Sequence, residues 1–387
     1  MHAIRVRGAL GAMAFLQHSP LRRSYADLTD AEVEEIGRTL DALRDEVLAD
    51  RGARDAAYVR RVIAVQRCLE VGGRVVLLGS RSRAAWWLGT TSLALSKVLD
   101  NMEIGHNVLH GQWDWMRDPR IHSSTWEWDH ASAPAQWQRT HNDRHHANTN
   151  VLGMDNDLGY GILRVDEAQE WEPRHVAQPL LNLVNACIFE YGIAMYDLDL
   201  GESLRSGSGF TPQQKEEMRT TGRRVARSAF RDYVLHPLLS APTGSARTTL
   251  TANLVANLAR NVWSHSVIMC GHFPEGVETF EVEEVDAHET RGRWYVRQML
   301  GSADISGPPL LHVLCGNLSH QIEHHLFPDL PSNRYAEVAG PVRELFERHG
   351  LAYNAAPLWR QVASAWHKVL RLSLPPRGRT GAQPVTG

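Results

Sequence analysis

Apolar positions recur along much of this chain at the three-to-four-residue spacing of amphipathic helices. The first such stripe is Val33, Ile36, Leu40, Leu43 and Val47, with Glu34, Glu35, Asp41 and Arg44 off it. Thr29 and Glu32 stand where a capping box starts a helix. The polar side of this helix is acidic, which favours packing on the main body over lying at a membrane surface. Further helical stretches are expected over residues 62–78, 84–110, 176–196 and 250–273, and a more polar one over 291–303. Residues 201–222, rich in Gly, Ser and charge, read as a surface connection, and the apolar stretch at 230–239 ends at Pro242-Thr243-Gly244. Residues 1–26 read as a loose leader and residues 376–387 as a disordered tail. The expected fold class is all-α.

Four windows approach a membrane span in length: residues 62–78, 84–102 with Lys97, 176–196 with Glu190 and 250–271 with Arg260. None is long, uncharged and clean, and a charge inside a span is costly unless it faces a bundle interior. Hydropathy alone therefore leaves a soluble helical metalloprotein and a membrane bundle equally open. The 387 residues suffice for one large domain or two small ones, and a net charge of −3 gives no nucleic-acid footprint. Cys68, Cys187, Cys270 and Cys315 are far apart with no Cys-x2-Cys pair, which fits reduced thiols.

Chemistry enters with the histidines. His106-x3-His110, His141-x3-His145-His146 and the run from Ser319 through His320, His324 and His325 form three clusters. On a helix, residues four apart share a face and the next lies about 100° round, so each cluster can aim two or three imidazoles inward. A lone His-x3-His pair is more often a surface or core pair; two x3-His-His clusters beside a third pair are not. Imidazole suits iron, zinc or copper, and eight clustered histidines exceed the four positions of one zinc ion, which points to two metals. Glu103 precedes His106 by one turn and reads either as a carboxylate orienting a ligand or as a solvated helix-end charge. Trp113, Trp115, Trp126, Trp128 and Trp137 suit an interfacial cap, a channel wall or plain packing. Asp155-x-Asp157 reads as a turn bonded to its own backbone, and His122 and His130 have no partner at ligand spacing.

His106-Asn107-Val108-Leu109-His110, His141-Asn142-Asp143-Arg144-His145-His146 and Gln321-Ile322-Glu323-His324-His325-Leu326-Phe327-Pro328, in this order and wide separation, resemble the three histidine boxes of the membrane-bound fatty acid desaturases. Met102-Glu103-Ile104-Gly105, Gly111-Gln112-Trp113-Asp114-Trp115, Cys270-Gly271-His272-Phe273-Pro274 and Pro328-Asp329-Leu330-Pro331-Ser332-Asn333-Arg334 resemble the actinobacterial acyl-CoA desaturases of the stearoyl-CoA type. The resemblance runs from about residue 27 to about residue 375, which would form one desaturase domain. It implies an integral-membrane helical bundle of about four spans with a cytoplasmic helical cap holding a dinuclear metal site. Both ends and every box would face the cytoplasm at the cell membrane, an arrangement that the two windows between boxes two and three allow.

The resemblance further implies two non-haem irons, O2 as co-substrate and removal of two hydrogens from a long acyl chain carried by CoA or a lipid. Its ligands fall on His106, His110, His141, His145, His146, His324 and His325, with His272 rather than His265 as a further one. In the third box, counting back over two intervening residues lands on Gln321 and over three on His320; His320 is taken as the ligand and Glu323 as an orienting carboxylate. Trp126 or Trp128 would line a tunnel for the acyl chain. An unactivated methylene offers no acidic proton, so acid–base side chains cannot break its C–H bond. The chain has neither a His-Pro-Gly-Gly segment nor a Gly-x-Gly-x-x-Gly fingerprint, so electrons from NADPH would come through a separate flavin or iron–sulfur reductase. Two other readings use the same ligands: a hydroxylase on the same scaffold, and a histidine-rich metal-binding or transport protein of the membrane.

Overall fold

The computed structural model describes residues 23–155, 157–285 and 289–376, so the leader up to residue 22 and the tail from 377 lie outside the described residues. Helix α1 (Asp30–Asp50) starts at the Thr29 cap, where the Glu32 carboxylate accepts from the Thr29 N–H at 2.8 Å. Its stripe of Val33, Ile36, Leu40 and Val47 is buried in the core. Helices α2 (Ala53–Leu77) and α3 (Arg83–Val98) form an antiparallel hairpin. Beyond Val98 the chain winds on as a π-helix over Leu99–His106 and a last α-turn over Asn107–Leu109.

The window at 176–196 becomes two short helices, α4 (Gln178–Cys187) and α5 (Phe189–Tyr196), broken at Ile188. The polar stretch expected to be a connection is instead mostly helical. Helix α6 (Pro212–Phe230) starts at a Thr211–Gln214 capping box, continues as a π-helix over Arg231–Leu235 and ends in a turn over His236–Leu239. It forms a hairpin with α7 (Ala246–His272), the longest described helix at 27 residues, or about 40 Å. The turns of the two hairpins meet at one end, where Ser80 Oγ lies 2.7 Å from Thr248 Oγ1 and Ser245 donates to the Leu78 carbonyl. The histidine boxes lie at the other end.

No described helix is long and apolar enough to cross a membrane. The reason is visible in α7, whose buried positions include Asn253, Asn257, Arg260, Asn261 and His265 while Leu254, Val255, Leu258 and Val262 are exposed. Four of the charges that interrupt the windows, Arg74, Lys97, Glu190 and Arg260, are paired inside. Lys97 binds Asp129 and Asp232, both at 2.9 Å, Arg74 binds Asp232, and Arg260 binds Glu190 at 2.7 Å. Buried ions persist only when so paired.

Helices α8 (Arg291–Leu300), α9 (Gln321–Leu326), α10 (Tyr335–Arg348) and α11 (Leu358–Ser373) complete the fold, with a two-stranded parallel ladder joining Asp304–Ser306 to Ala355–Pro357. Helices α1 and α8 cross at Gly37 and Gly292. A Cβ on Gly292 would lie 2.1 Å from the Val33 carbonyl oxygen, so the crossing needs glycine there. Phe327, Tyr335, Phe346 and Ile322 are buried in the same core as α1, which anchors the third box from the side opposite the hairpins.

Candidate metal centre

The first two histidine clusters lie in or beside π-helical segments, Leu99–His106 and Gln138–His145. The His146 N–H bonds the His141 carbonyl at 3.1 Å, five residues back. That wide winding closes the angle between positions five apart, so His141, His145 and His146 all point inward where an α-helix would splay the third. Such segments concentrate at functional sites. The third cluster sits on α9, and His272 ends α7.

Seven imidazoles sort into two groups. His106, His110, His141 and His324 bring a ring nitrogen each to within 4.8 Å of one another, and His145, His272 and His325 do the same. The Nε2 atoms of His106 and His324 are 3.2 Å apart, as are those of His272 and His325. His146 lies between the groups, stacked on His325 at 4.3 Å and edge-on to His110 at 4.6 Å.

Five of these rings are held by Nδ1, leaving Nε2 free to converge. Asp157 faces His141 at 3.1 Å, Asp155 faces His145 at 2.9 Å, and Tyr335 lies 3.1 Å from His324. His325 meets Gln298 Oε1 at 3.0 Å and Thr149 Oγ1 at 3.1 Å, and His272 meets the Gly301 carbonyl at 3.3 Å. Partners of this kind fix tautomer and ring orientation in metal-ligating histidines. Burial, then the neighbouring imidazoles, holds His106, His110, His141, His146, His324 and His325 well below the ordinary histidine value. They are neutral, the form that binds metal. At His145 burial also opposes charge, but the Asp155 and Asp157 carboxylates outweigh it and raise the ring to about 9.

The donor set fits a pair of metal ions. Nε2 of His110, Nε2 of His141 and both nitrogens of His146 are buried without a hydrogen-bond partner, a cost that a bound cation removes. The sequence reading missed the anchors. Asp155 and Asp157 are more than a self-bonded turn: Asp155 accepts from the Asn150 and Asp157 N–H groups, both at 2.8 Å, while holding His145. Two carboxylates nine and eleven residues after a histidine cluster were the available signal; nothing marked Gln298, Thr149 or Tyr335.

His320 is placed apart from the seven. Its ring stacks on His312 at 4.6 Å, and it groups with Asp304 and Glu323. Gln321 instead lies 3.0 Å from His272 Nε2, an approach permitted by Gly271, where a Cβ would sit 2.9 Å from the Gln321 side chain. His265 bonds Asn182 at 2.9 Å and packs against Phe189, away from the boxes. Glu103 neither orients a histidine nor faces solvent: it is buried and accepts from Tyr58, Ser332 and Asn317. Burial raises it to about 8 against those hydrogen bonds. Glu323 likewise accepts from Tyr353 and touches no box ligand.

Beside the histidines lies a cavity that is partly open to solvent. His106, His141, His145 and His272 form one wall and Trp128, Trp137, Tyr160, Phe189, Ile193 and Phe273 much of the rest. Trp126 is partly buried, packed against the clusters that hold Trp113 and Trp128, and is not on this wall.

Residues 82–357, which include every histidine cluster, match the family model for fatty acid desaturases. A protein of Mycobacterium tuberculosis named NADPH-dependent stearoyl-CoA 9-desaturase is 46% identical over 388 aligned positions, covering 94% of this chain and 90% of that one. More distant similarity extends to a Synechocystis sn-1 linoleoyl-lipid 6-desaturase, 22% identical over 73% of this chain and 79% of that one. A Rebecca salina acyl-lipid (7-3)-desaturase is 25% identical over 63% of this chain and 54% of its own. With its histidine clusters inside the matched region and near-full-length similarity to an acyl-CoA enzyme, this chain belongs to the fatty acid desaturase family, as an oxidoreductase of the actinobacterial stearoyl-CoA type.

Proposed function

We propose that the protein is an O2-dependent di-iron desaturase that introduces a double bond into a long-chain acyl-CoA, with stearoyl-CoA and the 9 position as the first substrate and site to test. The observation that supports this most is the division of seven converging imidazoles into two groups beside an apolar cavity. His106, His110, His141 and His324 would hold one iron, His145, His272 and His325 the other, with His146 between them. Irons held there supply, with O2, an oxidant strong enough to take hydrogen from an unactivated methylene, which no acid or base side chain can do.

The chain's own residues do the positioning. Asp155, Asp157, Tyr335 and Gln298 fix the ligand rings before substrate arrives. Trp128, Trp137, Tyr160 and Phe189 present an apolar wall along which an acyl chain can lie against the histidines, with water excluded. Each turnover takes two electrons from the acyl chain and two from a donor, reducing O2 to two waters. The donor is a separate reductase drawing on NADPH, consistent with the name of the mycobacterial relative.

The protein is further proposed to sit in the cell membrane with the histidines facing the cytoplasm. Helices α2 and α3 form one crossing hairpin, and the apolar continuation of α6 over residues 230–239 with α7 the other, in place of the window at 176–196. Exposed Val71, Val75, Leu88, Leu238, Leu254 and Leu258 suit contact with lipid. Purified protein supplied with stearoyl-CoA, O2, NADPH and a reductase should yield an 18-carbon monounsaturated product, and none without the reductase. A hydroxylated product, or turnover with NADPH alone, would overturn the corresponding part of the reading.

A further inference from the structure

Behind the third histidine box lies a second polar cluster that the proposed reaction does not use. Asp304 and Glu323 are both buried, and among the described residues neither forms an ion pair with a lysine or arginine. Arg343 stacks over the Tyr353 ring at 4.5 Å instead. The Tyr353 hydroxyl lies 2.5 Å from Asp304 Oδ2 and 2.8 Å from Glu323 Oε1, and the two carboxyls also hydrogen-bond each other. The other Asp304 oxygen accepts from the Ile322 N–H at 3.0 Å.

What remains is Glu323 Oε2, on a fully buried side chain and with no hydrogen-bond partner, facing the His320 ring. His320 Nδ1 is 3.8 Å from that oxygen and 4.0 Å from Asp304 Oδ2. Those separations are too long for hydrogen bonds. They approach the spacing of ligands on one ion, where bonds of about 2.1 Å in a tetrahedral set put neighbouring donors about 3.4 Å apart. His320 keeps a small exposed edge beside half-buried His312, which gives an ion and its water a way in.

We propose that Asp304, His320 and Glu323 bind a third metal, a mononuclear divalent cation of the zinc or manganese kind, distinct from the seven-histidine centre. Two carboxylate oxygens and one imidazole suit such an ion, and its charge balances both buried carboxylates. Its role is structural. Asp304 starts the short parallel ladder and Glu323 lies on α9, so the ion ties the strand to the helix that carries His324 and His325.

The test is metal content of the purified full-length protein, iron and zinc or manganese counted separately, for wild type, His320→Gln and Asp304→Asn. The expected result is one zinc or manganese per chain in addition to iron, falling to about zero in both variants while iron per chain is unchanged. Wild type with iron and no further metal, or a further metal retained in both variants, overturns the proposal and leaves the di-iron reading intact. A single zinc lost in both variants, with no iron in any sample, would sustain this site and remove the oxidative mechanism.

Discussion

Asp155→Ala tests the anchoring of the metal centre most sharply. Asp155 is 2.9 Å and 3.0 Å from His145 Nδ1 through its two oxygens and is buried with it, so removing the carboxylate frees the ring to rotate and weakens its basicity. Loss of a partner behind a ligating histidine costs about 10- to 100-fold in metal affinity or activity, or about 1.4–2.8 kcal/mol. The same substitution strands the Asn150 and Asp157 N–H groups, adding about 1–3 kcal/mol of destabilisation for each that stays buried. Asp155→Asn keeps an acceptor for one of these groups and should fall between the two. The assay is iron retention against a graded chelator series together with turnover of stearoyl-CoA at saturating reductase. Asp155→Ala with iron retention and turnover within twofold of wild type would refute the claim that this carboxylate holds a ligand.

The remaining predictions concern stability, pH and the cavity. Arg334 grips Asp55 through two hydrogen bonds of 2.6 Å and 2.8 Å, both side chains fully buried; Arg334→Met should cost about 3–5 kcal/mol by leaving the Asp55 charge unpaired, read as a lowered melting temperature. A loss under about 1 kcal/mol would mean the pair is solvated. Glu103, pushed up to about 8 by burial, contributes stability below the unfolded carboxylate value near 4.5 that is lost as pH rises through 8. Glu103→Gln should therefore flatten the fall in melting temperature between pH 5 and 8, and an unchanged slope would count against a buried neutral carboxyl. Ile193→Trp adds bulk to the cavity wall and should depress turnover of stearoyl-CoA at least about tenfold relative to a shorter acyl-CoA, compared in one competition assay. Equal losses for both chain lengths would place the acyl chain elsewhere.

The helical class and the histidine clusters were legible because period and spacing are local properties of the chain. The Thr29–Glu32 cap and the stripe of α1 appear where the pattern puts them. Helix α6 was not legible as a long element because it is rich in Arg and Glu, and those charges pair across the fold, as Glu217 does with Arg139 and Arg224 with Glu127. A hydropathy window cannot see such partners, nor that α7 hides its Asn and Arg side chains and turns its leucines outward. The third box shows a different limit. Whether His320 or Gln321 faces His272 depends on where α9 begins, and it begins at Gln321, so His320 is its cap, with non-helical backbone, and turns toward Asp304. The anchors Gln298, Thr149 and Tyr335 come from three separate elements, and only tertiary packing brings them behind the ligands.

The central claim is that one chain holds two irons, each with its own set of imidazoles. Anomalous X-ray diffraction of the purified protein on either side of the iron absorption edge tests it directly. The account predicts two iron peaks, one bounded by His106, His110, His141 and His324 and the other by His145, His272 and His325. A single peak, or peaks whose edge identifies zinc, would contradict it and return metal binding without oxygen chemistry to the front.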